Sequence, residues 1–395
     1  MVMAVSFMIM IALLSLSLPL LSVGTIEPTI AGNILRQNQA RYVAETGAER
    51  ALAQLISNPA LIGSAPATPT TLYSSQAMPD GSGTYTATYQ KQGWSAAMIQ
   101  STGTGTAAAS AQSVVRMIVS TGYLNSRAIL TQNDLAMSVN AKVQGALGSV
   151  HSNGNLTLAG SVSIAVDATA KGNYVAAGSV SVGGQYGGGK PAMPIPSVNP
   201  ASLITYADYM LEVSGGKGRI REVATGKTHA SGWNGWTYSK VTTTWSNALS
   251  TIPPGTYYAD NASVAITGTL GTALSPWRGT LIATKDIVLT GNIVMAPDAN
   301  TITDLADVAV LAGGDVVITP LLSSTLTGLI AAHEQAKLAG TVSITGAVVA
   351  EGAASLSLTV LANSVGGSVS ITNTSQLRIP LQGPVQVLSW TTVPG

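Results

Sequence analysis

Residues 1–24 read MVMAVSFMIMIALLSLSLPLLSVG, and no charged side chain occurs among them. At 1.5 Å per residue a helix over this run reaches about 36 Å, against about 30 Å for a hydrocarbon core. The run is therefore expected to cross a membrane, with Pro19 as its kink. A cleaved signal peptide is the competing reading. Ser22-Val23-Gly24 suits a small-residue cleavage site, but no basic segment precedes the run, and its apolar stretch exceeds the usual core of about 7–15 residues.

Residues 29–57 follow as TIAGNILRQNQARYVAETGAERALAQLIS. Pro28 is placed for a helix start and Pro59 for its end. Ile30, Ile34, Ala40, Ala44, Ala48, Ala51, Leu52 and Leu55 recur at helical spacing. Ala40, Ala44, Gly47, Ala48 and Ala51 form a stripe of small residues, which lets a second backbone approach closely. Two partners are open for the stripe: another helix in an assembly, or a β-domain of the same chain. The whole of 1–57 reads as one N-terminal helical segment.

Glu27, Ile30-Ala31-Gly32-Asn33, Arg36, Gln39-Ala40, Tyr42-Val43-Ala44-Glu45, Gly47 and Glu49-Arg50-Ala51-Leu52 resemble the N-terminal region of PilX-type minor pilins. The resemblance covers about residues 5–57. It implies a type IV pilus or pseudopilus component with its N-terminus in the inner membrane and its body in the periplasm or at the cell surface. It also implies other pilin or minor pilin subunits as partners through the helix. Two features depart from the general pilin pattern: no basic leader with a processing site precedes the run, and its fifth residue is Val5 rather than Glu.

Residues 58–123 open with a loop rich in Pro, Ser and Thr over 59–83. Alternating segments then follow at Thr84–Tyr89, Ala96–Thr104 and Ser113–Val119, expected as a small antiparallel sheet. From about 124 the texture changes. Ala159–Ile164 (AGSVSI), Ala177–Val182 (AGSVSV), Ala339–Ile344 (AGTVSI) and Gly366–Ile371 (GGSVSI) repeat one phrase. Asp286–Thr290 and Asp315–Thr319 are looser versions. Neighbouring phrases lie roughly 18–29 residues apart, a solenoid-like period. First coils are expected at 124–182 and the main block at 259–395. A β-sandwich of short strands is the alternative. The segment 183–258 reads as an insertion or flap, with a helix expected over Ala201–Leu211. Its Trp233, Trp236, Tyr238 and Trp245 are candidate contacts for a surface glycan or protein; closure of a local core is the other reading. The fold class expected is α+β, mostly β: a long N-terminal helix, a small pilin-like sheet, then a right-handed β-helix or β-solenoid.

Composition narrows the function. Charged residues are 9% of the 395-residue chain, with 18 Lys and Arg against 17 Asp and Glu, so nothing basic invites nucleic acid. With no cysteine there is no disulfide, thiolate nucleophile or Cys-bound metal. Gly184–Lys190 (GQYGGGK) fits seven positions of a phosphate loop, but Pro191 stands where the Ser or Thr is required. His151, His229 and His333 lack zinc spacing. Asp298, Asp304 and Asp307 lack the alternation of a calcium loop. Asp286 and Asp315 head matching phrases, where stacked carboxylates suit either a sugar-cleaving site or coil corners. The reading is a non-enzymatic structural subunit with no cofactor. A surface adhesin on a pilin-like anchor is the alternative, and a β-helix polysaccharide lyase or hydrolase the lesser one.

Overall fold

The computed structural model describes residues 2–63, 65–92, 96–106, 111–122, 127–249, 252–297, 305, 307–353, 362–375, 377 and 382–394. The chain divides into two compact units, Met1–Thr121 with Val385–Gly395, and Gly122–Pro384.

The first unit begins with helix α1 (Val2–Ser57). Four strands follow: β1 (Thr70–Ala77), β2 (Gly83–Lys91), β3 (Ala96–Gly105) and β4 (Gln112–Gly122). The first three pairings are antiparallel. The C-terminal strand Gln382–Pro394 adds on beside β4. Alternation in β2 and β3 turns Ala87, Tyr89, Ala97 and Ile99 inward, where they join Ala44, Ala48, Ala51 and Leu55 of α1, while Tyr85 packs with Val43 and Met78. Strand β1 falls in the segment expected as loop. Its Thr- and Ser-rich face is largely exposed, and its pairing slips twice around Ser75, whose φ is 45°; such an edge carries no alternating apolar signal.

The second unit is built from short parallel strands in three rows. Its first coils comprise β5 (Ile129–Thr131), β6 (Leu135–Val139), β7 (Lys142–Gln144), β8 (Val150–Ser152), β9 (Leu156–Gly160), β10 (Val162–Ile164), β11 (Ala168–Ala170), β12 (Tyr174–Ala177), β13 (Val180–Val182) and β14 (Tyr186–Gly187). Strands 18 residues apart stack in register, as in Val162 on Val180, Leu156 on Tyr174 and Val150 on Ala168. Rung order is not chain order. The third row runs β12, β9, β6, then Asn363–Val365, Ala336–Leu338, Val316–Ile318, Ile287–Leu289, Ser263–Ile266 and Thr244–Asn247. The chain thus starts mid-stack, climbs to β14, restarts at the far end near Tyr209 and returns, so that Ser370 lands on Lys142.

Residues 190–208 cover the jump as a strap along the second row. Asn153 fixes its start, accepting from the Met193 N–H at 2.8 Å and donating to the Met193 carbonyl at 2.7 Å. The Val198 N–H donates to Glu351 at 2.8 Å, and Asp208 N–H joins Thr256 O at 2.9 Å. Beneath it, Val198, Leu203 and Ala207 bury Leu130, Val349, Ala331, Leu311, Ile282 and Tyr258. Each such fully buried aliphatic side chain contributes about 1.5–3 kcal/mol. The helix expected over Ala201–Leu211 is instead a 3-10 turn at Pro200–Tyr206 followed by strand Tyr209–Ser214.

The expected class is corrected. Among the described residues strand (49%) far outweighs helix (16%), in sheets of 17, 10 and 5 strands, so the chain is a mostly β protein rather than an α+β one. Among the described residues no helix is long and apolar enough to cross a membrane. Within α1 the side chains of residues 2–5, 16 and 18–26 lie outside the described set.

Candidate functional site

Helix α1 has two halves with different surroundings. From Ala40 onward one face is buried: Ala40, Val43, Ala44, Ala48, Ala51 and Leu55 have no exposed surface. The seat on the sheet is made by glycines on both sides. A Cβ on Gly103 of β3 would collide with the helix backbone at Ala40 and Ala44, and one on Gly47 would collide with Ser101 and the Tyr85 ring. The small-residue stripe (Ala40, Ala44, Gly47, Ala48, Ala51) therefore packs on this unit's own strands. Of the two partners open for the stripe, the structure seats it on a β-domain of the same chain: the backbone that meets it is β3, where Gly103 faces Ala40 and Ala44. Arg50 Nη1 donates to Tyr85 Oη at 3.0 Å and fixes the register of the seat.

Large apolar side chains described in the earlier half are exposed. Phe7, Ile11, Leu14, Ile30, Ile34 and Leu35 are each between 52% and 69% exposed. They are apolar on more than one side of the helix, which a helix seated on a single core does not require.

The aromatic candidates resolve into a cap. Trp236 and Trp245 lie on an antiparallel pair of strands, Trp236–Ser239 and Thr244–Asn247, and are fully buried with Tyr257 and Ile220. Both are corrected as ligand contacts: their rings close the end of the stack. Burial raises the Tyr257 phenol well above its ordinary range. Trp233 stacks on His229 at 4.3 Å, and Tyr238 lies 5.3 Å from Trp245; both are partly exposed at the rim of that core. Nearby, Glu212 accepts from Arg221 at 2.7 Å and lies 3.7 Å from Arg219, so the charge run of 217–222 pairs with its neighbouring strand.

Asp286, Asp315 and Asp134 are corner caps. Asp286 Oδ1 accepts from the Asp315 N–H at 2.9 Å, and Asp315 Oδ1 from the Gln335 N–H at 3.0 Å. Asn363 accepts from Ala336 N–H, Asp134 from Asn155 N–H and Asn155 from Asn173 N–H, at 2.7–2.9 Å. Each ties one rung to the next. The spacing of Asp286 and Asp315 carries this signal, since one residue heads each matching phrase. Among the described residues no group of three His, Asp or Glu is placed to hold a metal. Asp298 and Asp304 lie outside the described residues. The phosphate-loop-like Gly184–Lys190 crosses β14, and no helix follows it.

His151 is buried in the second row. Its Nδ1 lies 2.8 Å from Thr169 Oγ1 and its Nε2 3.0 Å from Asn153 Oδ1. Since Asn153 Oδ1 also accepts from Met193 N–H, the neutral ring donating from Nε2 fits the network. Burial holds the His151 pKa below its ordinary value; the Asn153 bond opposes this and Arg127 adds to it. His333 Nδ1 meets the strap-holding Glu351 at 2.6 Å. Periodicity alone did not reveal either His as a strap support, because the strap joins residues distant in sequence.

No protein-family model matches the chain, and no curated protein matches it. Among solved structures, the competence-associated pilin ComZ from Thermus thermophilus is similar over 91% of this chain and 98% of that one, at 13% identity and a TM-score of 0.33. That likeness is too slight to carry a functional conclusion.

Proposed function

We propose that this chain is a non-enzymatic structural subunit of the type IV pilus or pseudopilus class, of minor-pilin kind. In this reading α1 is held at the inner membrane before assembly and lies among neighbouring pilin helices afterwards, with the β-units on the periplasmic or cell-surface side. The observation that carries it is the division of α1. The half from Ala40 on is seated on a sheet, while Phe7, Ile11, Leu14, Ile34 and Leu35 stand in solvent. Apolar surface costs about 25 cal/mol per Å² to keep wet, and large apolar side chains left exposed together mark a surface made to be covered. Lipid and other apolar helices are the two covers such a rod accepts. The non-enzymatic part is supported by Asp286 and Asp315, whose carboxylates cap backbone N–H groups.

The test is expression of the full chain in cells that make type IV pili. The wild-type chain is expected in the membrane fraction and in sheared filaments. Phe7→Arg with Leu14→Arg is expected to remove it from both while the β-units stay folded. A wild-type chain found in neither fraction would overturn the reading.

A further inference from the structure

The two ends of the second unit's stack differ. One is closed by strands Tyr209–Ser214, Lys217–Glu222 and Thr228–Ala230 together with the Trp236–Asn247 pair, which bury Trp236 and Trp245. This cap is charged, with Glu212, Arg219, Arg221 and Glu222 on it.

The other end is a bare rung. Among the described residues β12 pairs only with β9, β13 only with β10 and β14 only with β11. Each strand thus leaves one edge unpaired. One rung in, Leu156, Leu158, Val162 and Ile164 are buried; their counterparts Tyr174, Ala176, Val180 and Val182 are partly or fully exposed. Val175 and Tyr186 are 51% and 65% exposed. Residues 172–189 contain no charge and no proline. Exposed edges are ordinarily blunted with Lys, Pro, bulges or a covering segment; among the described residues none of these lies within 172–189, and Lys171 and Lys190 stand only at its two ends.

We infer that the end rung 174–187 is a contact surface for the same rung of a second copy, giving a closed end-to-end pair. A suitable cover presents unpaired strand edges on three sides of the same outline, is uncharged, and brings apolar side chains to meet Tyr174, Val180 and Val182. The chain's own end rung meets all three requirements, and its neutrality removes the like-charge repulsion that self-contact otherwise carries. The capped end is folded over by antiparallel strands that bury Trp236 and Trp245 and carry charge, which an uncharged rung does not match, so head-to-tail stacking is disfavoured. A self-complementary contact of this kind stops at two copies rather than growing into a fibre. This inference is independent of the role given to α1.

The test uses the full chain in a nonionic detergent that covers α1, with mass read by sedimentation. The wild-type chain is expected to pair in a concentration-dependent way, with slower deuterium uptake over 174–182 in the pair. Ala176→Glu and Ala176→Lys are each expected to weaken pairing at least about tenfold, and mixing the two variants to restore it. Leu14→Arg is expected to leave pairing unchanged. A wild-type chain that stays monomeric with concentration-independent uptake over 174–182 overturns the inference, as does equal pairing by both charged variants or failure of their mixture to recover. Protection of the rung in cells without copy-to-copy pairing assigns it to a different protein and also overturns the inference.

Discussion

The Asp286 carboxylate accepts a hydrogen bond from the backbone N–H of Asp315, one coil onward, at 2.9 Å. Asp315 has no exposed surface and passes the contact on to the Gln335 N–H. A carboxylate engaged this way closes a corner that lacks a regular strand partner.

Asp315→Ala leaves the Gln335 N–H buried without this acceptor. The expected loss is about 1–3 kcal/mol, read as a lower midpoint in chemical denaturation. Asp315→Asn retains an acceptor and is expected to lose less. Neither change is expected to alter sugar turnover; loss of a measurable cleavage activity in Asp286→Asn or Asp315→Asn would reinstate an enzymatic role.

Gly103→Ala pushes a methyl group into the α1 backbone at Ala40 and Ala44. Backbone cannot rotate away as a side chain does, so the helix lifts from β3. Destabilisation of about 1–3 kcal/mol is expected, with faster proteolysis around Ala40–Leu55. A control at Gly32, where a Cβ meets nothing within 4 Å, is expected to leave the melting transition in place.

Asn153→Ala removes the two hydrogen bonds to the Met193 backbone, leaving the one from Arg127 Nε to Met193 Sδ. Limited proteolysis is expected to cut within 190–200 faster than in the wild type, with the rungs themselves still protected. Equal cleavage of both proteins would show that the remaining ties, the Val198–Glu351 bond and the apolar contacts of Val198 and Leu203 among them, hold the strap without Asn153.

Acid weakens the second row through His151. Its folded pKa lies below the unfolded value of 6.5 because burial disfavours the charged ring. The unfolded state therefore binds the proton first. Stability from this group is present above the unfolded value and is lost as pH falls through 6.5 toward the folded value. Denaturation midpoints between about pH 8 and pH 5 are expected to fall in the wild type and to fall less in His151→Gln. Identical slopes would remove His151 as the cause.

Much of the second unit was legible because glycine-led phrases mark equivalent places in successive coils. Ser163 does lie beside Ser181, and Ser343 beside Ser370. What the phrases do not encode is rung order. Lys142 separates Ser163 from Ser370 in the row, an arrangement that depends on the strap and not on local pattern. The aromatic cluster failed for a related reason. Trp236 and Trp245 sit among Gly, Asn and Thr, which reads as an exposed loop, yet their strands fold over an open stack end. The stripe at Ala40–Ala51 was legible as a close-packing face, but small side chains fit a glycine-bearing strand as well as a second helix. The sequence therefore left the partner open.

The C-terminal strand 382–394 lies beside β4, although the whole second unit separates them in the chain. In synthesis from the N-terminus, the first unit must therefore wait with an unfinished sheet until residues 382–394 emerge. Long-range closures of this kind are slow. During that interval β4 is an open edge, and a chain cut short anywhere in the second unit would present it permanently. Premature termination is thus expected to yield sticky fragments rather than a smaller working subunit.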